Sequence, residues 1–304
     1  MKTIKINSAL AAFGLLVTLY GCGGGADSVP TITAKPKPVK TAATNGGNNG
    51  APKNGPKGNG GGGGIGSFKG RIVYGGSAPA AGKPTGFNPA DPKTDKFCVG
   101  IAGKINNESL LVGATGGVQN VVIYLKKKPA GYTATVPPTV KEFSNKNCMF
   151  SPRMMAVRVG RKIKIVNDDV TSHNTHLFPL NNLNPAFNGL IPKGESKEYQ
   201  YNAKESLPVK VVCDIHGWML AYHMPLDHEF FAVTDKDGNF EIKNLPAGSH
   251  QFVVWHERSG YLERRLKVSV QAGKETKIEK KYTPGKFTAF NGPVPKTIVL
   301  SLNK

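Results

Sequence analysis

The segment Val209-Lys-Val-Val-Cys-Asp-Ile-His-Gly-Trp-Met219 places a soft sulfur ligand and an imidazole directly after a short β-branched run. Cys213, His216 and Met219 follow one another at intervals of three, and Ser172-His-Asn-Thr-His176 supplies further imidazoles from far upstream. One thiolate and two imidazoles in a trigonal plane, with a weak axial methionine, form the ligand set of a blue-copper electron-transfer site. The pattern therefore predicts that a loop after a strand and a distant histidine converge on one copper ion.

Short strands dominate the chain from Phe68 to about residue 283. Alternating or β-branched runs are bounded by Gly, Pro, Asn and Asp, and no long stretch has helical periodicity. The predicted strands are residues 70–74, 118–125, 155–159, 162–167, 197–201, 209–212, 230–234, 239–242, 250–256 and 265–270. This spacing predicts an all-β sandwich architecture with at most a short helix.

The first histidine ligand is either His173 or His176. Residues three apart in a strand point to opposite faces, so simultaneous ligation is disfavoured and we favour His173, on a loop. Met224 is an alternative to Met219 as the axial group. Acidic residues do not cluster with the histidines, and the complete ligand set leaves no open coordination position. We therefore predict no catalytic residue and no enzymatic activity.

Residues 1–21 predict a secretory signal that is removed. Two lysines precede an apolar run over residues 9–20, which is too short to span a bilayer stably. The ending Leu19-Tyr-Gly-Cys22 resembles the bacterial lipobox, in which cleavage leaves a diacylated cysteine at the mature N-terminus. The alternative is plain secretion with Cys22 as a free thiol. Gly23 rather than Asp after this cysteine argues against retention in the inner membrane, so we expect an anchor in the outer membrane.

Residues 22–66 are predicted to form a disordered tether. After Cys22 this segment contains one acidic residue, five lysines, repeated Gly and Pro, and few large apolar side chains. Such a composition cannot bury enough apolar surface to offset the entropy lost on ordering.

Cysteine parity bears on the metal prediction. An exported chain can hold disulfides, and the cysteines are Cys22, Cys98, Cys148 and Cys213. If Cys22 carries lipid, one of the other three must be unpaired. Cys98 and Cys148 lie in polar, turn-like surroundings that suit a surface disulfide, whereas Cys213 lies beside two further soft ligands. We therefore predict a Cys98–Cys148 bridge and a free Cys213 thiolate; the alternative is a bridge from Cys213 to one of the other two.

The charge balance limits the classes of partner. The chain has 40 basic and 20 acidic residues and a formal net charge of +20. This excess favours acidic protein partners, anionic membrane surfaces or anionic polymers. No recognition-helix pattern, zinc-finger spacing or aromatic ribonucleoprotein motif is present, so we predict no nucleic-acid partner.

Four segments resemble the cupredoxin family: Cys148-Met-Phe-Ser-Pro152, residues 162–167, His173-Asn-Thr and residues 213–219. The Cys-x2-His-x2-Met spacing is similar to amicyanin rather than plastocyanin, and residues 68–270 resemble exported plastocyanin-like proteins of the methylamine-utilisation type. The resemblance implies a Greek-key β-sandwich that holds one copper ion per chain. It carries the family's copper ligands over to His173, Cys213, His216 and Met219. The second histidine, His176, departs from the pattern and is expected to be a non-ligand.

A second module follows the metal loop. Residues 231–248 predict a strand, an Asp-Gly turn, a strand and a Pro-Gly turn, with too few oxygen ligands for calcium. This segment resembles the carboxypeptidase-regulatory-like or transthyretin-like sandwich, whose early strands resemble residues 70–74 and 121–125. We predict that a cupredoxin domain, residues 138–228, is inserted into a small sandwich made from residues 67–137 and 229–283, with a tail over 284–304. The alternative is an extended cupredoxin followed by a small C-terminal module.

These observations predict an exported, membrane-tethered type 1 copper protein for one-electron transfer in the periplasm or at the cell surface. The expected partners are redox proteins with an acidic docking surface, and the membrane through the lipid anchor. Two alternatives remain from other classes of function. One is a protein that holds Cu(I) for storage or delivery, and the other is a structural surface lipoprotein.

Overall fold

The computed structural model describes residues 64–130, 132–133 and 139–288. The predicted signal over 1–21, the lipidated Cys22, the tether up to residue 63 and the tail from residue 289 lie outside these residues. Within the described residues, no helix is long and apolar enough to cross a membrane.

Strands are the dominant regular secondary structure of the described residues, which confirms the all-β prediction. The strands are β1 (Ile65–Tyr74), β2 (Val122–Leu125), β3 (Lys141–Lys146), β4 (Met149–Ser151), β5 (Met154–Arg158), β6 (Lys162–Asn167), β7 (His173–Phe178), β8 (Phe187–Ile191), β9 (Ser196–Gln200), β10 (Val209–Val212), β11 (Leu220–Leu226), β12 (Phe231–Val233), β13 (Asn239–Pro246), β14 (Gly248–His256), β15 (Gly260–Val270) and β16 (Glu275–Tyr282). One short helix, α1, spans Lys96–Gly100, and 3-10 turns cover Ala102–Lys104 and Pro284–Phe287.

Strands β3 to β11 form two sheets, which we call the central sandwich. One sheet has the order β5-β11-β10-β7-β8 and the other has the order β4-β3-β6-β9. Alternate side chains of both sheets point inward, as expected for sheets with one solvated face. They meet in one buried core that contains Phe143 and Ile165 from the second sheet and Leu177 and Val211 from the first.

The remaining strands form the flanking sandwich, with sheets of order β13-β1-β16 and β12-β2-β14-β15. Strand β1 lies between β13 and β16, antiparallel to the first and parallel to the second. Strand β2 lies between β12 and β14. Chain segments from before and after the central sandwich therefore share both of these sheets, and they enclose a separate core around Phe68, Ile123 and Phe252.

The two sandwiches contact each other through apolar side chains and one buried ion pair. Tyr124 and Trp255 of the flanking sandwich pack in one cluster with Met154 and Met224 of the central sandwich. Arg153 donates two hydrogen bonds to Glu257, at 2.6 and 2.7 Å. Burial raises the pKa of the Glu257 carboxyl, and the hydrogen bonds from Arg153 oppose that effect.

Several strands were not predicted, and His173 was expected on a loop. It is instead the first residue of β7, whose inward-facing side chains include polar residues. Buried Thr175 and His173 break the apolar alternation by which a strand is recognised in a sequence. Strand β16 was missed for a different reason, because most of its side chains are at least partly exposed and many are charged.

Three predicted boundaries differ from the structure. The tether was expected to reach residue 66, but Gly66 already pairs with Leu245 in the β1–β13 ladder. The tail was expected to begin at residue 284, yet Phe287 is buried and its ring lies 5.4 Å from that of Tyr74. Residues 67–137 were assigned to the second sandwich, whereas Phe87 in this segment is buried in the core of the central sandwich. A large apolar residue in a long connection can be buried in either core, and the local sequence does not show which core the fold brings within reach.

Cys98 and Cys148 form a disulfide, as predicted. The expected surface location is wrong, because both half-cystines are fully buried. Lys96 and Lys146 near the two cysteines are exposed, whereas the sulfur atoms face the core. The disulfide joins α1, in the long β1–β2 connection, to the turn between β3 and β4.

Candidate metal centre

The loop of residues 213–219 joins the antiparallel strands β10 and β11. Backbone hydrogen bonds hold it compact: the Cys213 amide donates to Met219 O at 3.3 Å, and the Met219 amide donates to His216 O at 2.8 Å. The His216 amide also donates to the Cys213 sulfur at 3.3 Å. Cys213 and His216 are therefore positioned by main-chain hydrogen bonds and by the β10–β11 ladder beneath them.

Strand β7 brings a second imidazole to this loop because it pairs with β10 next to the metal loop. The Nδ1 atoms of His173 and His216 lie 2.9 Å apart, and the Cys213 sulfur lies 3.9 Å from His216 Nδ1. One donor atom from each of these three residues lies within 4.8 Å of the other two. The exposed fractions are 0% for His173, 1% for Cys213 and 2% for His216. Three of the predicted ligands thus converge in a space closed to solvent.

The two methionines considered as axial groups lie in different places. Met219 is fully buried in the core of the central sandwich, the same cluster that contains Cys213. Met224 is also buried, but it lies in the cluster between the two sandwiches. The structure therefore places Met219, and not Met224, in the core around the converging donors.

His176 lies on the opposite face of β7 from His173. Its side chain is 30% exposed, and its Nδ1 lies 3.1 Å from Asp214 Oδ2. Asn188 is within hydrogen-bonding distance of both groups. The structure does not bring His176 to the buried donors, in keeping with the alternation of side chains along a strand.

The electrostatics of the centre favour a thiolate. Burial acts to raise the pKa of the Cys213 thiol, but hydrogen bonds with His173 and His216 outweigh it and lower the pKa to about 6. Burial likewise acts to lower the pKa of His173, and the hydrogen bonds with Asp169 and the Cys213 sulfur raise it overall. A thiolate is the form of cysteine that binds metals, so the sulfur is available at neutral pH.

Asp169 orients the first imidazole, and the sequence analysis missed it. Its Oδ2 lies 2.9 Å from His173 Nε2 and accepts a hydrogen bond from the Cys148 amide at 2.7 Å. A carboxylate on the far nitrogen fixes the tautomer and ring orientation of a ligating histidine. Because His173 Nε2 contacts Asp169, the Nδ1 atom, which faces His216, is the ring nitrogen left to bind a metal. The available sequence signal was an acidic residue four positions before the histidine.

Asn174 ties β7 to the metal loop and was also missed. Its Oδ1 accepts hydrogen bonds from the Asp214 amide at 2.7 Å and from the Ile215 amide at 3.2 Å. The Cys213 sulfur lies 3.2 Å from the same oxygen, to which it can donate only when it is protonated. One side chain therefore fixes the start of the loop relative to the strand that supplies His173.

A third missed residue, Asp95, comes from the β1–β2 connection. Its Oδ2 lies 3.8 Å from His216 Nε2 and accepts a hydrogen bond from the Thr171 hydroxyl at 2.8 Å. Burial acts to raise the pKa of the Asp95 carboxyl, but hydrogen bonds from Thr171 and the Cys98 and Phe97 amides lower it overall. A carboxylate with a lowered pKa thus lies close to the outer nitrogen of His216.

The donor set fits copper. Thiolate sulfur suits Cu(I), imidazole suits both oxidation states, and methionine is an adaptable soft donor. Within the described part of the chain, two other groups of candidate ligand atoms share His216 or His173 with this centre. Each of them also includes a cysteine of the Cys98–Cys148 disulfide, whose sulfur cannot act as a thiolate.

Comparison with known proteins gave no matching family model and no matching curated protein. Among solved structures, the chain is similar to a copper-containing nitrite reductase from Thermus scotoductus SA-01, with 17% identity, coverage of 33% of this chain and 25% of that chain, and a TM-score of 0.27. It is similar to a purple cupredoxin from Nitrosopumilus maritimus, with 20% identity, coverage of 28% and 99%, and a TM-score of 0.25. A Cu(I) form of an amicyanin mutant has 14% identity, coverage of 30% and 86%, and a TM-score of 0.27. The chain spans a quarter of the length of the nitrite reductase.

Proposed function

We propose that this protein is a type 1 copper protein that carries single electrons and is not an enzyme. The observation that carries the proposal is the convergence of His173 Nδ1, His216 Nδ1 and the Cys213 sulfur within 4.8 Å of one another in a buried space. Met219, buried in the same core, is the proposed axial ligand. Copper held by this set would alternate between Cu(I) and Cu(II) and so accept and release one electron.

The surrounding residues keep the donors in place in both oxidation states. Asp169 holds the His173 ring from behind, and Asn174 holds the loop that carries Cys213. Pre-organised ligands limit the rearrangement that accompanies a change of metal charge. The two flanking β-ladders, β7–β10 and β10–β11, provide the rigid base for these contacts.

We propose the same domain arrangement that the sequence predicts, a cupredoxin domain inserted into a smaller sandwich. The support is the strand pairing, in which β1 and β2 share sheets with β12 to β16 while β3 to β11 pair among themselves. Limited proteolysis of the full-length protein tests the proposal, since cleavage near residues 138 and 228 is expected if these positions join two separately packed sandwiches; cleavage only within the sandwiches would contradict it.

Copper loading of the purified protein tests the function. Strong absorption at about 600 nm from thiolate-to-copper charge transfer is the expected result for this ligand set. Repeated one-electron oxidation and reduction without loss of metal would support the carrier. Transfer of Cu(I) to a metal-free acceptor protein would favour storage or delivery instead, and failure to bind copper would overturn the proposal.

The choice of first ligand gives a separate prediction. We expect His173→Ala to remove the absorption band at about 600 nm, because the variant lacks one of the proposed copper ligands. His176→Ala should leave the spectrum nearly unchanged, since His176 faces Asp214 on the other side of β7. Visible absorption spectra of the two copper-loaded variants make the comparison. A bleached His176→Ala protein beside a coloured His173→Ala protein would show that the ligand assignment is wrong.

We also propose that Cys22 is the acylated N-terminus and anchors the mature chain to the outer membrane. The support is the short apolar run before Leu19-Tyr-Gly-Cys22 and the glycine that follows. Mass spectrometry of the N-terminal peptide is expected to show a diacylglyceryl adduct, and Cys22→Ser should release the protein from membranes. An unmodified mature terminus would place the protein in the soluble exported pool.

The proposed partners are redox proteins with an acidic docking surface. The support is the formal net charge of +20, which steers acidic proteins toward the chain. Electron-transfer rates with an acidic partner should therefore fall as ionic strength rises, because exposed charges are screened over about 8 Å at physiological salt.

A further inference from the structure

The long connection between β1 and β2 crosses from the flanking sandwich to the metal centre. Residues 83–105 of this connection, which we call the cap, contain α1 and the half-cystine Cys98. The side chains of Phe87, Cys98 and Ile105 are buried in the core of the central sandwich. The cap is therefore an addition to the central sandwich that arrives from outside its own strands.

The cap covers the outer edge of the His216 ring. Phe87 packs on Trp218 with ring centroids 4.9 Å apart, and Trp218 in turn lies 5.1 Å from the His216 ring. Asp95 Oδ2 is 3.8 Å from His216 Nε2, which is buried and makes no hydrogen bond to the described residues. Because His216 Nδ1 faces the converging donors, the covered Nε2 edge is the side that points away from them.

Burial differs sharply between neighbours on the metal loop. His216 is 2% exposed and Trp218 is 7% exposed, whereas Ile215 between Asp214 and His216 is 52% exposed. The loop itself is thus at the protein surface, and the low exposure of His216 and Trp218 coincides with the contacts from the cap.

A disulfide and a side-chain hydrogen bond attach the cap to the central sandwich. The Cys98–Cys148 disulfide joins it covalently to the β3–β4 turn, and Trp218 Nε1 donates to the Cys148 carbonyl at 3.0 Å. The Thr171 hydroxyl donates to Asp95 at 2.8 Å. Within the cap, Lys83 donates to the Ile105 carbonyl at 2.8 Å. No cap residue pairs in a β-ladder of the described structure, so the cap can open without breaking a sheet.

We infer that the cap is a disulfide-latched cover that controls access to the metal centre through the edge of His216. As far as copper is concerned, this inference rests on the proposed function. Local openings of this kind have their own free energy, smaller than that of global unfolding. Small reagents and chelators that approach this edge therefore reach the donors only when the cap is displaced.

Reactivity of the Cys213 thiol in the copper-free protein tests the cover without any metal. In a full-length Cys22→Ser background, Cys213 is the only free thiol, since the other two cysteines form the disulfide. The probe is 5,5′-dithiobis(2-nitrobenzoic acid). We expect Phe87→Ala to increase the reaction rate by about tenfold or more, because each 1.4 kcal/mol lost from the closed state raises the open population tenfold.

Two further variants keep the test decisive if Phe87→Ala folds poorly. Thr171→Val removes only the hydroxyl that holds Asp95 and should increase the rate by a smaller factor. Combined Cys98→Ala and Cys148→Ala, which again leaves Cys213 as the single thiol, should increase it most. The matched control is Phe178→Ala, an exposed phenylalanine of the central sandwich beside His176, which should leave the rate unchanged.

Urea separates local opening from global unfolding. Reaction through the cap should be nearly independent of low urea concentrations, because local opening exposes little surface, whereas reaction through global unfolding rises steeply with urea. The inference that the cap covers the centre would be wrong if the thiol reacted at equal rates in the parent, Phe87→Ala and Thr171→Val proteins. It would also be wrong if the reaction rate of all three rose steeply with urea.

A second experiment, on the copper-loaded protein, distinguishes the failure of this inference from the failure of the proposed function. Removal of Cu(I) by bathocuproine disulfonate should accelerate in the same order of variants as thiol reactivity. If the protein binds no copper while the thiol rates follow the expected order, the proposed function fails and the cover stands. If copper binds and leaves at one rate in all variants, the cover is wrong and the copper site stands.

Discussion

Replacement of Cys213 by serine is expected to abolish the strong absorption at about 600 nm of the copper-loaded protein, because the band arises from charge transfer from the thiolate. Copper affinity should fall by more than about 100-fold, since removal of a residue that only hydrogen-bonds to a metal ligand already lowers metal affinity by about 10- to 100-fold. A serine hydroxyl does not ionise near neutral pH, and its oxygen is a hard donor that suits Cu(I) poorly. Titration with copper, followed by absorption and by competition with a chelator, measures both effects.

Met219→Leu is the matched control for this change. It removes the weak axial donor and leaves the thiolate, so the colour should remain while the reduction potential rises, because a donor that stabilises Cu(II) is lost. Both sulfur-bearing residues are buried in the same core, so the comparison separates the chemistry of the sulfur from the effects of burial. A coloured Cys213→Ser protein would contradict the assignment of the thiolate.

Replacement of Glu257 by alanine is expected to lower the free energy of unfolding by about 3 to 5 kcal/mol, since it removes both hydrogen bonds from the buried Arg153, whose charge the nearby Glu108 carboxylate then offsets only in part. The side chains of Arg153 and Glu257 are 6% and 8% exposed, and they join the central to the flanking sandwich. Urea denaturation followed by circular dichroism measures the effect. In the Glu257→Ala protein the apolar cluster around Trp255 remains as a contact between the two sandwiches, and we expect their unfolding transitions to separate.

The exposed pair between Lys162 and Glu198 provides the control. Both side chains are more than half exposed, at 59% and 56%, so Glu198→Ala should cost less than about 1 kcal/mol. Combined Arg153→Met and Glu257→Leu should recover much of the stability, because an apolar pair carries no desolvation penalty. Similar small losses for Glu257→Ala and Glu198→Ala would mean that Arg153 is stabilised in some other way.

The loop of residues 213–219 could be recognised in the sequence as a candidate metal site because its donor atoms are close together in the chain. Cys213, His216 and Met219 lie within one turn between two strands, and their spacing is legible without knowledge of the fold. The alternation of side chains in an extended segment predicted only that His173 and His176 would not bind together, and the structure places the two on opposite faces of β7. The all-β architecture followed from turn residues and short β-branched runs.

The outer partners of the histidines could not be predicted because their roles depend on tertiary contacts. Asp169 reaches His173 across a turn, and Asn174 reaches the 213–219 loop across a strand pair. Neither has a sequence pattern that separates it from an ordinary surface residue. Strand β7 was hidden for a related reason, since the polar groups it buries are those that build the centre.

Asp95 and Phe87 were beyond the reach of local sequence analysis for a topological reason. They belong to a connection between two strands of the flanking sandwich, and only the fold brings that connection to His216. Cysteine parity came closest, because it linked Cys98 to Cys148 although the sequence had assigned their segments to different sandwiches. Its error about burial arose because the polar neighbours of a cysteine in a turn do not describe the side the sulfur faces.

The position of β1 has a mechanical consequence. Its ladder with β16 is parallel, running from the Ser67–Glu275 pair to the Tyr74–Tyr282 pair, so the N-terminal end of β1 and the C-terminal end of β16 lie at opposite ends of the ladder. A pull applied to the chain on either side of this pair acts along the strands, and the ladder hydrogen bonds share the load rather than breaking one at a time. The force path runs through the flanking sandwich from β1 to β16, and the strands that carry His173, Cys213 and His216 lie outside it.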